Sequence, residues 1–128
     1  MTYRTMLKSK IHRATVTEAN IDYEGSITID SGILDAADIL EHEKVHVLSL
    51  SSGNRLETYA IRGHLDMGHI CINGAAAKLI AAGEKVIILS YALVAEEEAR
   101  DHQAKVVLVD DTNHITAIST KRSAFDTC

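Results

Sequence analysis

Short runs rich in β-branched residues, none longer than eleven residues and most ending in turn-forming residues, are the feature that most limits what this chain can become. KIHRATVT (residues 10–17), VHVLSL, RLETYAIR, HICIN, EKVIILSYALV and KVVLVD all read as strands, and IDYEGSITID (residues 21–30) reads as a further strand interrupted at Gly25. Ser51, Ser52, Gly53 and Asn54 supply a turn between VHVLSL and RLETYAIR, which predicts a hairpin. Two brief helices are expected. In ILDAADIL the apolar positions 33, 36, 37 and 40 recur at helical spacing behind Asp30 or Ser31 as N-cap, and GAAAKLIAAG is stopped by Gly83. Many short strands with two small helices predict a mainly β fold, a compact barrel. One Phe and no Trp among 128 residues leave Ile, Val, Leu and Ala to build its core. That length fits one domain, expected over residues 1–118 with a loose polar tail at 119–128.

Composition removes several function classes. Thirteen basic against eighteen acidic residues give a net charge of −5, interspersed along most of the chain, so no nucleic-acid partner is expected. The first seventeen residues carry Arg4, Lys8, Lys10 and Arg13 without an acid, but they hold no apolar signal core and no run is long enough to cross a bilayer. The basic start is therefore read as part of the fold, with no membrane association. Cys71 and Cys128 form no CxxC pair, and Cys71 in HICIN reads as a small buried thiol; a reducing cytoplasm fits.

Three motifs offer chemistry beside a bland alternative. His42-Glu43-Lys44-Val45-His46 matches HExxH, but that zinc signature works only on a helix, and the alternation from Lys44 points to a strand. It is read as a chance match with solvated histidines, and no metal is expected. The Gly74–Ala77 segment is either tight backbone packing or a helix start whose bare N–H groups receive an anion. Glu24-Gly25-Ser26 is either a turn or a reacting peptide: a serine hydroxyl behind a glycine carbonyl can attack it and shift the chain from amide to ester.

Taken in order, KIHRATVT, YEGS, LDAADIL, GNRLETYAI and INGAAA resemble the bacterial aspartate 1-decarboxylases, pyruvoyl enzymes that make β-alanine for pantothenate. The resemblance runs from about Arg4 to Leu93, with weaker agreement at EEEAR. Leu48 stands where some relatives place an aromatic, and the chain after Ile118 has no recognisable counterpart. The resemblance implies a double-psi β-barrel and a homotetramer with active sites between subunits. It implies self-cleavage between Gly25 and Ser26 into residues 1–25 and 26–128, Ser26 becoming a pyruvoyl group that replaces any need for pyridoxal phosphate. Whether an accessory maturation factor assists stays open.

L-Aspartate would then bond to that ketone, lose its α-carboxylate as carbon dioxide, and receive a proton from Tyr59. Thr58 would bind substrate and assist processing, and Arg55 and Lys10 would hold carboxylates. Gly74, Ala75 and Ala76 would offer backbone N–H groups, Asn73 would orient substrate or pyruvoyl, and His12 and Tyr23 would line the wall. Two rivals compete with this expectation: a non-catalytic barrel that binds a small dicarboxylate, and an HExxH hydrolase.

Overall fold

The computed structural model describes residues 1–120. Nine strands, two short α-helices and one 3-10 turn follow one another as β1 (Tyr3–Thr15), β2 (Glu18–Asn20), β3 (Ser26–Asp30), α1 (Ser31–Ala37), β4 (Lys44–Ser49), β5 (Arg55–Gly63), β6 (Ile70–Asn73), the 3-10 turn (Gly74–Lys78), β7 (Lys85–Ala95), α2 (Glu96–Ala99), β8 (Lys105–Val109) and β9 (Ile115–Ser119). The strands are linked in the order β2-β6-β3-β5-β4-β7-β1-β8-β9. Three of these pairings, β1 with β8, β2 with β6 and β3 with β5, are parallel, and the other five are antiparallel. This mixed, mainly β sheet with parallel crossovers is that of a double-psi β-barrel; it is not closed edge to edge by hydrogen bonds.

The core follows the period of two that strands impose. Ile27 and Ile29 of β3, Val45 and Val47 of β4, Ile70 and Ile72 of β6, and Val86 and Ile88 of β7 are all fully buried. Each such aliphatic side chain contributes about 1.5–3 kcal/mol by leaving water, so aliphatic residues carry the interior almost without aromatics. The hairpin expected around residues 51–54 is β4–β5, with Lys44 opposite Tyr59 and Leu48 opposite Arg55.

Asp30 caps α1 as expected, its carboxylate accepting from Gly32 N at 2.8 Å and from Gly68 N at 2.8 Å. The helix ends at Ala37, earlier than residue 40, because Asp38 adopts a left-handed φ of 55° and its N–H turns back to Asp35 O and Leu34 O. Ile39 then replaces Leu40 in the core, and Leu40 is exposed.

Other expectations need correction. Residues 21–24 are a turn rather than strand, with Ile21 and Tyr23 exposed, and strand begins only at Ser26. The brief helix expected at GAAA is a single 3-10 turn, Gly74–Lys78, that ends well before Gly83. The first strand starts at Tyr3, well before Lys10, so the basic start does belong to the fold, with Arg4 bonded to Glu96 at 2.8 Å. β9 ends at Ser119, the first residue of the expected tail, and residues 121–128 lie outside the described residues. Among the described residues no helix is long and apolar enough to cross a membrane.

The HExxH string lies on a turn and a strand, not a helix, and its side chains go separate ways. The His42 ring meets Tyr59 edge-on at 6.2 Å, while His46 meets Tyr91 at 5.1 Å and Glu57 at 3.6 Å. Glu43 turns inward, where it pairs with Lys8 at 2.8 Å and accepts hydrogen bonds from Ser90 Oγ and Leu40 N. Burial alone would raise its carboxyl, but the bonds from Lys8, Ser90 and Leu40 outweigh it and hold the group below its ordinary range.

A depressed carboxylate contributes stability above its unfolded pKa and loses it as pH falls through the folded value. Urea denaturation of the wild type is therefore expected to show a steady decline below the usual glutamate value near ~4.3. Glu43→Gln should be less stable by about 1–3 kcal/mol near neutrality, with a shallower acid slope than the wild type.

Candidate active site

Ser26 opens β3 and is 5% exposed, directly opposite Asn73 on the antiparallel neighbour β6. Asn73 Nδ2 donates to Ser26 Oγ at 3.0 Å and to Thr28 Oγ1 at 3.0 Å. Gly25, by contrast, is exposed, and a Cβ added to it would meet nothing within 4 Å. Its carbonyl thus belongs to an uncrowded residue, while the hydroxyl that follows is fixed in the sheet.

The backbone before Ser26 is held by another glycine. Gly74 has φ +73°, and a Cβ there would lie 2.7 Å from Gly25 Cα and N and 2.9 Å from Tyr23 O. Only glycine lets the start of the 3-10 turn approach the Tyr23–Gly25 backbone this closely. The tight-packing reading of GAAA is thus correct at Gly74, whereas Ala75 and Ala76 line a cavity.

The consecutive residues Gly25 and Ser26 border different cavities. One, of about 260 Å³, is lined by Gly25 with Leu56, Glu57, Thr58, Ala75, Ala76 and Leu79. The other, of about 720 Å³, is lined by Ser26 together with Thr28, Tyr59, Asn73, Tyr23, Cys71 and His64, and by the acids Glu18, Asp22 and Glu24. Thr58 and Tyr59 are consecutive on β5, so alternation sends them to opposite faces and hence to different cavities. Thr58 lines the cavity of Gly25, and Tyr59 lines that of Ser26.

Three expected residues are not brought to these cavities. Lys10 and His12 share a face of β1, and β5, β4 and β7 stand between β1 and β3 in the sheet. Burial, then the charges of Lys10 and Arg13, hold the His12 imidazole below its usual pKa. Arg55 is exposed at the start of β5 and lines neither cavity.

Cys71 also differs from expectation. It is half-buried and faces the larger cavity, with Sγ 3.8 Å from Glu18 Oε2 and 3.9 Å from Thr17 Oγ1. Burial pushes its thiol up. Thr28 was missed by sequence reasoning, although its position two residues beyond Ser26 signals the same strand face.

Fold and cavities together define a small double-psi barrel with a polar pocket of a size suited to a small metabolite. The chain belongs to the aspartate decarboxylase family, whose model matches residues 1–116. It is 56% identical over 116 residues to the aspartate 1-decarboxylase of Caldicellulosiruptor saccharolyticus, covering 91% of both chains. It is 51% identical over 125 residues to that of Listeria monocytogenes, covering 98% of both, and 55% identical over 117 residues to that of Acetivibrio thermocellus, covering 91% of this chain and 93% of the relative.

Proposed function

We propose that this chain decarboxylates L-aspartate to β-alanine, in the cytoplasm and for pantothenate synthesis, after cutting itself between Gly25 and Ser26. The observation that carries the reading is the position of that peptide bond. Gly25 borders the cavity of Thr58, and Ser26 borders the cavity of Tyr59 and Asn73.

In maturation Ser26 Oγ bonds to the Gly25 carbonyl carbon, the peptide C–N bond breaks, and the Oγ proton passes to the Ser26 nitrogen. Thr58 donates to the Gly25 oxygen as negative charge gathers there. Loss of the Ser26 α-proton then expels Gly25 as a carboxylate, and water removes the nitrogen as ammonia to leave a pyruvoyl group at residue 26. The site fits such a group: the position is buried, carries an Asn73 donor at 3.0 Å, and opens onto a cleft with Tyr59. When present, the ketone bonds the substrate amine and accepts the electron pair released with carbon dioxide.

The remaining work falls to side chains. The Tyr59 phenol borders the same cleft as Ser26 and delivers its proton to the carbon that lost the carboxylate. Asn73 orients the reacting end, the Gly74–Ala76 backbone N–H groups receive a carboxylate, and Tyr23 forms part of the wall. Substrate charge supports a site shared between subunits of a homotetramer. Among the described residues the larger cavity is lined by three carboxylates with His64 as its one basic residue, an unfavourable setting for a dianion. Arg55 and Lys10 are the cations that a neighbouring copy would bring, with His12 beside Lys10.

Intact-mass analysis of purified protein tests the reading. Two fragments separated after Gly25, the larger with a carbonyl in place of its terminal amine, are expected. An uncut chain that binds aspartate without consuming it would overturn the reading in favour of a binding module, and an uncut chain that still releases β-alanine would overturn the maturation route.

A further inference from the structure

We propose that Thr28 is a positioning residue for maturation: its hydroxyl holds the Asn73 amide in the orientation that donates to Ser26 Oγ. The inference rests on the reading of Gly25–Ser26 as a self-cleaved bond. It starts from strand geometry. Ser26 and Thr28 are two residues apart on β3 and so share a face, and Asn73 stands opposite Ser26 on β6. One amide nitrogen therefore reaches both hydroxyls, at 3.0 Å each.

That nitrogen carries two protons, and two acceptors engage both of them. A planar amide held at two points cannot turn about its terminal bond, so Ser26 Oγ meets a donor of fixed direction. The consequence falls on the attacking atom. With one lone pair taken by Asn73, the Ser26 hydroxyl keeps one rotamer, and attack requires a rotamer that presents its other lone pair to the Gly25 carbonyl carbon. In that step the Oγ–C bond forms, the Gly25–Ser26 C–N bond breaks, and the Oγ proton ends on the freed nitrogen.

Among the described residues no other side chain accepts from the Asn73 amide. Cys71, directly opposite Thr28 in register, turns its thiol to Glu18 and Thr17 instead. Removal of the Thr28 hydroxyl leaves the amide anchored only by the atom it is meant to orient, and Ser26 then samples unproductive rotamers.

The test compares Thr28→Val, Thr28→Ala and Thr28→Ser with the wild type, all as the full chain, by following fragment formation with intact mass after synthesis in a cell-free system. Val and Ala should slow cleavage about tenfold or more, equivalent to one factor of ten in the barrier scale, whereas Ser should stay within about twofold because it keeps the hydroxyl. Melting temperatures of the same substitutions placed in uncut Ser26→Ala chains separate folding from chemistry, and Ala covers the case in which Val does not fold. Wild-type rates in folded Val or Ala variants, or a Ser variant as slow as Ala, would overturn the role of Thr28. If the wild type itself remains uncut, the maturation reading falls and this inference with it; if the wild type is cut and the variants keep pace, only Thr28's role falls.

Discussion

Ser26→Ala is expected to yield one intact 13.9 kDa chain that releases no β-alanine from aspartate. Alanine lacks the Oγ that must attack the Gly25 carbonyl, so neither the new chain end nor the ketone can arise. The fold should survive. Ser26 is buried but small, its hydroxyl has the Asn73 amide as partner, and that amide retains Thr28 at 3.0 Å. Loss of one such bond costs about 1 kcal/mol, which denaturant titration resolves beside the mass measurement. Two fragments, or turnover by the uncut chain, would contradict the proposal directly.

Tyr59→Phe should separate the two halves of the chemistry. The variant is expected to cut itself normally, since Thr58 and not Tyr59 borders the cavity of Gly25. Its β-alanine production should fall by about 10²–10⁴-fold, the usual contribution of a positioned proton donor. Phenylalanine keeps the ring and its edge-on contact with His42 at 6.2 Å, so the hydroxyl alone is removed. Fragment masses together with the rate of product release report both halves. Undiminished turnover would move the proton donor to another group in the cleft.

Sequence legibility varied with how directly a residue's chemistry expresses its place. Asp30 as a helix cap and Ser51–Asn54 as a hairpin turn were readable because each acts on backbone a few residues away. The strand β9 was not, since Ile115–Ser119 is exposed along most of its length and its alternation breaks at Ala117–Ile118. α2 is four residues, three of them glutamate, and offers no periodicity either. Residues 21–24 imitate a strand in their alternation, but Ile21 lies in solvent, and the turn is set by the distant Gly74 approaching Gly25.

The site divides in the same way. Ser26, Tyr59 and Asn73 were named from motif resemblance, and one cleft contains all three. Cys71 looked like core in HICIN but faces that cleft, because a strand at the mouth of a cavity has the same pattern as one at its centre. Nothing in the residue string could reveal that Gly25 and Ser26 border different spaces. That follows from parallel pairing of β3 with β5, a contact between segments about thirty residues apart.

The position of β1 has a consequence for the proposed cut. The fragment ending at Gly25 includes a thirteen-residue strand wedged between β7 and β8, with Ile11 and Ala14 in the core. A nick at residue 25 cannot shed this piece as a propeptide is shed; it stays as an indispensable stave. Unfolding a chain so cut would split one molecule into two, and renaturation would become a second-order encounter whose yield depends on dilution.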